Sequence, residues 1–204
     1  GLVTLSAADP GVVRQEFGFA QYSQYDAAIY GGFLCILLNN CDRVKIACQS
    51  LLINEGGMIS TGSAGKAIRQ SVFYPFMQVA KYARGGYVLT PSVHAMPQVE
   101  TVHYGFQDSL QVACVWQQEK REIIIFASNV DQKSSIELNV DLTCFNKVAA
   151  IERLEIYTED MNEVNTFSDE FRVVPHIVPL DDPKNGKVKE VLRPHSWNVL
   201  RYGI

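Results

Sequence analysis

Four side chains in the first part of this chain have the chemistry to hold or act on a polar ligand: Gln49, Asn54, Glu55 and Arg69. Asn54 and Glu55 are adjacent, ahead of Gly56-Gly57. A carboxylate there is a candidate proton donor or acceptor, and its plain alternative is a solvated turn glutamate before a flexible glycine loop. Arg69 is followed by Gln70, a pair able to hold ligand hydroxyls or, equally, to contact loop carbonyls at a helix start. Gln49 precedes the pair on a segment that reads as a strand.

Other chemistries lack their residues. The four histidines are scattered without ligand spacing and no C-x-x-C occurs, so no metal site is expected. There is no G-x-S-x-G elbow. Gly62-Ser63-Ala64-Gly65-Lys66 lacks the Walker spacing and reads as a turn, with Ser63 capping a following helix. The five cysteines read mostly as reduced core thiols, which favours a cytoplasmic setting and leaves a secreted or periplasmic one open. A net charge of −4 over 204 residues, with no basic stripe, predicts no nucleic-acid partner. No apolar run approaches a membrane span, so no membrane partner is expected either.

The elements that must position these residues change character near Gly85-Gly86. Residues 1–20 read as irregular, with a turn at Asp9-Pro10-Gly11. Residues 23–41 predict a helix from Ile29, Phe33 and Leu37, stopped by Asn39-Asn40. Two glycines inside it, Gly31 and Gly32, predict close approach of a neighbouring element. Residues 44–53 predict a buried strand, and 66–84 a second helix with a kink at Pro75. Helix, buried strand, helix is half of an α/β repeat, which cannot cover its own sheet edges.

Beyond Gly86 the period shortens to that of strands. Segments 99–105, 110–116, 123–126, 136–142, 150–157, 170–178 and 196–202 carry strand signals. Leu110, Val112, Cys114 and Trp116 share one face, and Ile136 to Leu142 alternate apolar with polar. Trp116 and Trp197 read as core anchors, and Tyr74 as core. Residues 181–187 read as a loop tip. The fold class is α+β, mainly β: a C-terminal β-sandwich over 86–204, jelly-roll-like, preceded by a helical part over 1–85.

Three stretches, Asp26–Leu34, Asp42–Cys48 and Arg69–Phe76, occur in the order and spacing of the C-terminal portion of a family 51 glycoside hydrolase, an α-L-arabinofuranosidase, and Leu192–Arg201 resembles that family's ending. The resemblance implies that residues 1–85 are the last helix-strand-helix part of a (β/α)8 catalytic barrel. It implies a retaining hydrolase that releases terminal α-L-arabinofuranosyl residues from arabinan- or arabinoxylan-type saccharides, without a cofactor and as a homo-oligomer. The family's two catalytic glutamates belong upstream, in Asn-Glu and Asp-Glu-Trp motifs, and no Asp-Glu-Trp occurs here. No catalytic residue is therefore assigned to this chain.

The resemblance sorts the candidate residues. Asn54 stands where the family also carries asparagine, whereas Glu55 stands where it usually carries an apolar residue. The family often has a sugar-contacting glutamine three residues before that asparagine. Leu51 stands there, and Gln49 lies two residues earlier on the same expected face. Ile68 replaces the aromatic often found before the Arg-Gln pair. The rival reading is a non-catalytic β-sandwich module that binds carbohydrate or protein through exposed aromatics, drawn from Tyr87, Tyr104, Trp116, Tyr157 and Tyr202.

Overall fold

The computed structural model describes residues 21–62 and 65–204. The expected turn at Asp9-Pro10-Gly11 and the expected Ser63 cap fall outside the described residues. The elements run α1 (Gln24–Asn39), β1 (Ile59–Thr61), β2 (Ala67–Arg69), α2 (Phe73–Ala83), β3 (Tyr87–Leu89), β4 (Gln98–Thr101), β5 (Gly105–Asp108) and β6 (Leu110–Gln117). They continue as β7 (Glu122–Asn129), β8 (Ile136–Asp141), β9 (Ala149–Ile156), β10 (His176–Val178), β11 (Lys187–Leu192) and β12 (Ser196–Gly203). The description is mainly β.

A six-stranded antiparallel sheet, ordered β10-β9-β12-β7-β6-β3, forms the centre. One face carries α1 and α2; the other carries the two-stranded β8–β11 sheet. Both faces are therefore dry. This explains why β7 reads Ile123-Ile124-Ile125-Phe126 without polar interruption: Ile124 and Phe126 point to the helices, Ile123 and Ile125 to β8 and β11.

Helix α1 starts where its local chemistry dictates. The Ser23 hydroxyl accepts the Asp26 N–H (3.2 Å) while the Asp26 carboxylate accepts the Ser23 N–H (2.8 Å), a capping box. It ends at Asn39, and the Asn40 side chain donates to the Ile36 carbonyl at 2.8 Å. Its buried face is not the stripe of large apolar residues. Ala27, Ala28, Gly31, Gly32, Leu34 and Cys35 face the sheet, while Ile29 and Phe33 are about half exposed. Small residues win because the indole of Trp197 lies directly beneath them. A Cβ on Gly31 would come within 2.7 Å of Trp197 Cδ2 and Cζ3, and one on Gly32 within 3.2 Å of Gln111 Cγ. Trp197 is fully buried, stacks on Phe126 and donates its Nε1–H to Gln78 Oε1 at 2.7 Å.

Four expectations give way. Residues 44–53 form no strand: Ile46 is 82% exposed, and the only pairing among the described residues is a single bridge from Ile53 to Ile59. An isolated parallel strand has no backbone partners on either side, so the apolar alternation has nothing to bury against. The second helix covers only 73–83, because 67–69 pair as β2 with β1. Pro75 lies in the first turn of α2, where its missing N–H has no intrahelical acceptor in any case, so it starts the helix rather than kinking it. Three cysteines, Cys41, Cys48 and Cys144, are exposed; only Cys35 and Cys114 are core thiols.

Smaller adjustments follow in the β region. The 99–105 signal resolves into the hairpin β4–β5, and 170–178 contributes only β10. The 181–187 tip closes at Asn185 and Gly186, both at positive φ, and β11 follows directly, a strand the sequence hides because its buried face carries the charged Glu190 while the apolar Val191 faces out. Trp197 is the core anchor expected of it, whereas Trp116 is partly buried beside Tyr87 at the sheet edge.

Gly31→Ala is expected to lower stability by about 1–3 kcal/mol through overpacking against Trp197, despite the better helix propensity of alanine. Chemical denaturation of the two proteins measures it; an unchanged or raised midpoint would show that the indole yields freely.

Candidate functional site

The segment between α1 and β2 folds over the N-terminal half of α1, and three tyrosine and glutamine contacts fasten it there. The Tyr30 hydroxyl donates to Gln49 Oε1 at 2.9 Å, and the Tyr22 hydroxyl to the Gly56 carbonyl at 2.6 Å. Gln70, buried, accepts the Tyr22 N–H at 2.9 Å and donates to the Gly57 carbonyl at 3.2 Å. Burial, and secondarily the neighbouring Tyr22, pushes the Tyr30 phenol up to about 12.

Asn54 sits at φ 53° and staples the turn into β1. Its Oδ1 accepts the Thr61 N–H at 2.8 Å, its Nδ2 meets Thr61 Oγ1 at 2.9 Å, and its own N–H donates to the Ile59 carbonyl at 2.8 Å. Asparagine tolerates the left-handed region better than other side chains that could make these bonds. Glu55 follows at φ 43°, exposed, with no ion pair among the described residues. Gln49 lies in irregular chain rather than on a strand, and its Nε2 donates to the Ser50 carbonyl.

Arg69 ends β2 opposite Ile59, which on its other side bridges to Ile53. The structure therefore gathers Asn54, Glu55 and Arg69 around β1, and places Gln49 apart, against Tyr30. The Arg69 guanidinium lies 5.2 Å from the centre of the Phe73 ring, while its carbonyl accepts Asn165 Nδ2 at 2.9 Å. Asn165 also closes onto Val173 in both directions, so the 165–173 loop is tied to β2.

That tie creates a feature the sequence reading missed. Ile59, Ile68, Arg69, Tyr74, Glu170 and Phe171 line a cleft of about 330 Å³. Tyr74 is buried, as expected of a core residue, whereas Phe171 is 65% exposed. Burial pushes the Tyr74 phenol up; Arg69 opposes that shift and Glu170 adds to it. The available signal was two phenylalanines, Phe167 and Phe171, in a polar stretch with neither strand nor helix period. Chemically the arrangement offers hydroxyl-binding groups of both charges and an aromatic surface. Among the described residues no group of three or more His, Cys, Asp or Glu side chains could hold a metal ion, and no helix is long and apolar enough to cross a membrane.

The family described as alpha-L-arabinofuranosidase C-terminal domain matches residues 6–196. An intracellular exo-α-(1→5)-L-arabinofuranosidase of Streptomyces lividans is 35% identical over 88% of this chain and 27% of its own length. An exo-α-(1→6)-L-arabinofuranosidase of Bifidobacterium longum is 33% identical over 88% of this chain and 34% of its own. A solved family 51 α-L-arabinofuranosidase from Bifidobacterium longum superimposes with a TM-score of 0.81 at 28% identity, covering 90% of this chain and 36% of that one. The chain thus spans about a quarter to a third of the length of the curated relatives it matches.

Asn54→Ala is expected to cost about 1–3 kcal/mol, since it removes both Thr61 contacts and leaves a Cβ residue at positive φ. The Thr61 amide should exchange with solvent correspondingly faster; unchanged protection would remove the staple role. The Tyr30 phenol favours the protonated form in the folded chain, so its stabilising contribution is whole below pH 10 and is lost as pH rises from 10 through about 12. An absorbance titration should show one fewer late-ionising tyrosine in Tyr30→Phe, beside those of Tyr74 and Tyr202 that remain.

Proposed function

The chain belongs to the α-L-arabinofuranosidase C-terminal domain family, and from that premise we propose that it is the C-terminal region of a retaining hydrolase acting on terminal non-reducing α-L-arabinofuranosyl residues of arabinan- or arabinoxylan-type saccharides. The observation that carries this reading is the family match over 6–196 in a chain that spans only a quarter to a third of enzymes named for that activity.

Residues 1–85 then contribute the last helix-strand-helix part of a (β/α)8 barrel, and 86–204 a jelly-roll-like β-sandwich. The exposure of Ile29, Phe33, Ile36, Ile46, Leu51, Leu52 and Ile53 supports it. So many large apolar side chains on one contiguous part of the sequence are costly in water, at roughly 25 cal/mol per Å², and a preceding barrel segment would cover them. The same cover would supply the two neighbours that 44–53 needs to become a strand.

Retaining hydrolysis takes a nucleophilic carboxylate and an acid/base carboxyl about 5–5.5 Å apart. In this reading both reside upstream, and the chain supplies one wall of the sugar site through Asn54, Arg69, Gln49 and Glu55. No cofactor takes part, the whole enzyme is a homo-oligomer, and its compartment is the cytoplasm, in keeping with the relative named as intracellular.

The test is hydrolysis of a chromogenic α-L-arabinofuranoside. The whole enzyme is expected to turn over and this chain alone to show no rate above buffer. Turnover by the purified chain would place a carboxylate pair within it, and Glu55→Gln would then be the first variant to make.

A further inference from the structure

We propose that the cleft between β2 and the 165–173 loop is a sugar subsite for a neutral oligosaccharide, with Arg69 and Glu170 holding hydroxyls and Phe171 presenting a ring face. The choice of an arabinose-based ligand rests on the arabinofuranosidase reading above; the cleft itself stands on its own geometry. It is lined by side chains from three separate segments: Ile59 of β1, Arg69 of β2 with Tyr74 of α2, and Glu170 with Phe171 of the loop. Asn165 fixes the distance between two of them by donating to the Arg69 carbonyl at 2.9 Å and to the Val173 carbonyl at 3.0 Å.

Three properties select the ligand. The volume of about 330 Å³ lies at the small end of ligand clefts, roughly 300–1,000 Å³, and suits one or two sugar rings. Arg69 and Glu170 contribute opposite charges and are not ion-paired with each other among the described residues, so the cleft is balanced; Arg69 is held by the Tyr74 hydroxyl and the Phe73 ring and offers a ligand only its remaining N–H groups. In a balanced cleft the attraction of an anion to Arg69 is offset by its repulsion from Glu170, so charge gives an acid no advantage over a neutral polyhydroxy compound. Phe171, 65% exposed, offers an apolar face beside those polar groups, while buried Ile68 and Tyr74 form the floor.

The experiment is an amide-resonance titration of the 204-residue chain with α-(1→5)-linked arabinotriose, beside glucuronic acid as a charged sugar. The expected result is saturable shifts at Arg69, Tyr74, Glu170 and Phe171 with the neutral ligand and weaker ones with the acid. Phe171→Ala should bind about tenfold more weakly, equivalent to roughly 1.4 kcal/mol, and being exposed it should leave the fold intact. Tighter binding of the acid, or equal affinity in Phe171→Ala, overturns the proposal. Silence at these residues overturns it whichever way the hydrolysis assay falls. An inactive whole enzyme together with a positive titration overturns the activity reading alone.

Discussion

The indole of Trp197 sits on the sheet where α1 has no side chain, and that contact sets the distance between helix and sheet. Gly31 leaves the gap, Phe126 stacks beneath, and Gln78 from α2 accepts the indole N–H, so one side chain joins both helices to β12 and β7. Two glycines in a helix cost about 2 kcal/mol. Burying an aromatic of roughly 150–250 Å² at about 25 cal/mol per Å² contributes about 4–6 kcal/mol. Close packing therefore outweighs propensity, and the glycines hold their place in α1 for that reason. Everything attached to α1, including the Tyr30–Gln49 contact, inherits its position from it.

The opposite face of the sheet is held by charge as well as by apolar contact. Arg153 is buried and donates to Glu190 at 2.9 Å, to Asn198 at 2.8 Å and to the Val191 carbonyl at 2.9 Å, with Glu155 beside it at 3.3 Å. Arg193 caps Glu155 from the partly exposed side. A buried ion cluster of this kind adds little net stability against an apolar replacement, because desolvation offsets the Coulomb gain, but losing one member leaves an unmatched charge. Its effect is to fix the register of β11 against β9 and β12. The Tyr202 hydroxyl, buried nearby without a hydrogen-bond partner among the described residues, is held in its neutral form first by burial and then by Glu190.

The candidate site lies at the margin of the helix-side core, with which it shares Tyr74 and Val173. It lies where β1, β2 and the 165–173 loop meet, and above its buried floor it is fastened by side-chain amides: Gln70 to Tyr22 and Gly57, Asn54 to Thr61, Asn165 to β2 and Val173. Hydrogen bonds from side-chain amides to backbone fix loops without requiring strands, which suits a surface that must stay open to a ligand.

The sequence by itself determined α1 and its stop at Asn39-Asn40, because such a signal acts within one turn; the Ser23–Asp26 capping box that starts the helix emerged from the structure. It determined the strong β-strands and the faces of β6 and β8, because alternation reports a buried face directly. It determined that Gly31 and Gly32 meet a neighbour, that Trp197 and Tyr74 are core, and, through collinear motifs, the family. Only the tertiary structure decided which face of α1 is covered, since an apolar stripe shows what would be buried given a partner and not whether the partner is there. For the same reason the alternation at 44–53 produced no strand. The cleft joining Arg69 to Glu170 and Phe171 was likewise beyond local patterns: its walls are about a hundred residues apart in the chain, and long-range contacts such as the Asn165 tie bring them together.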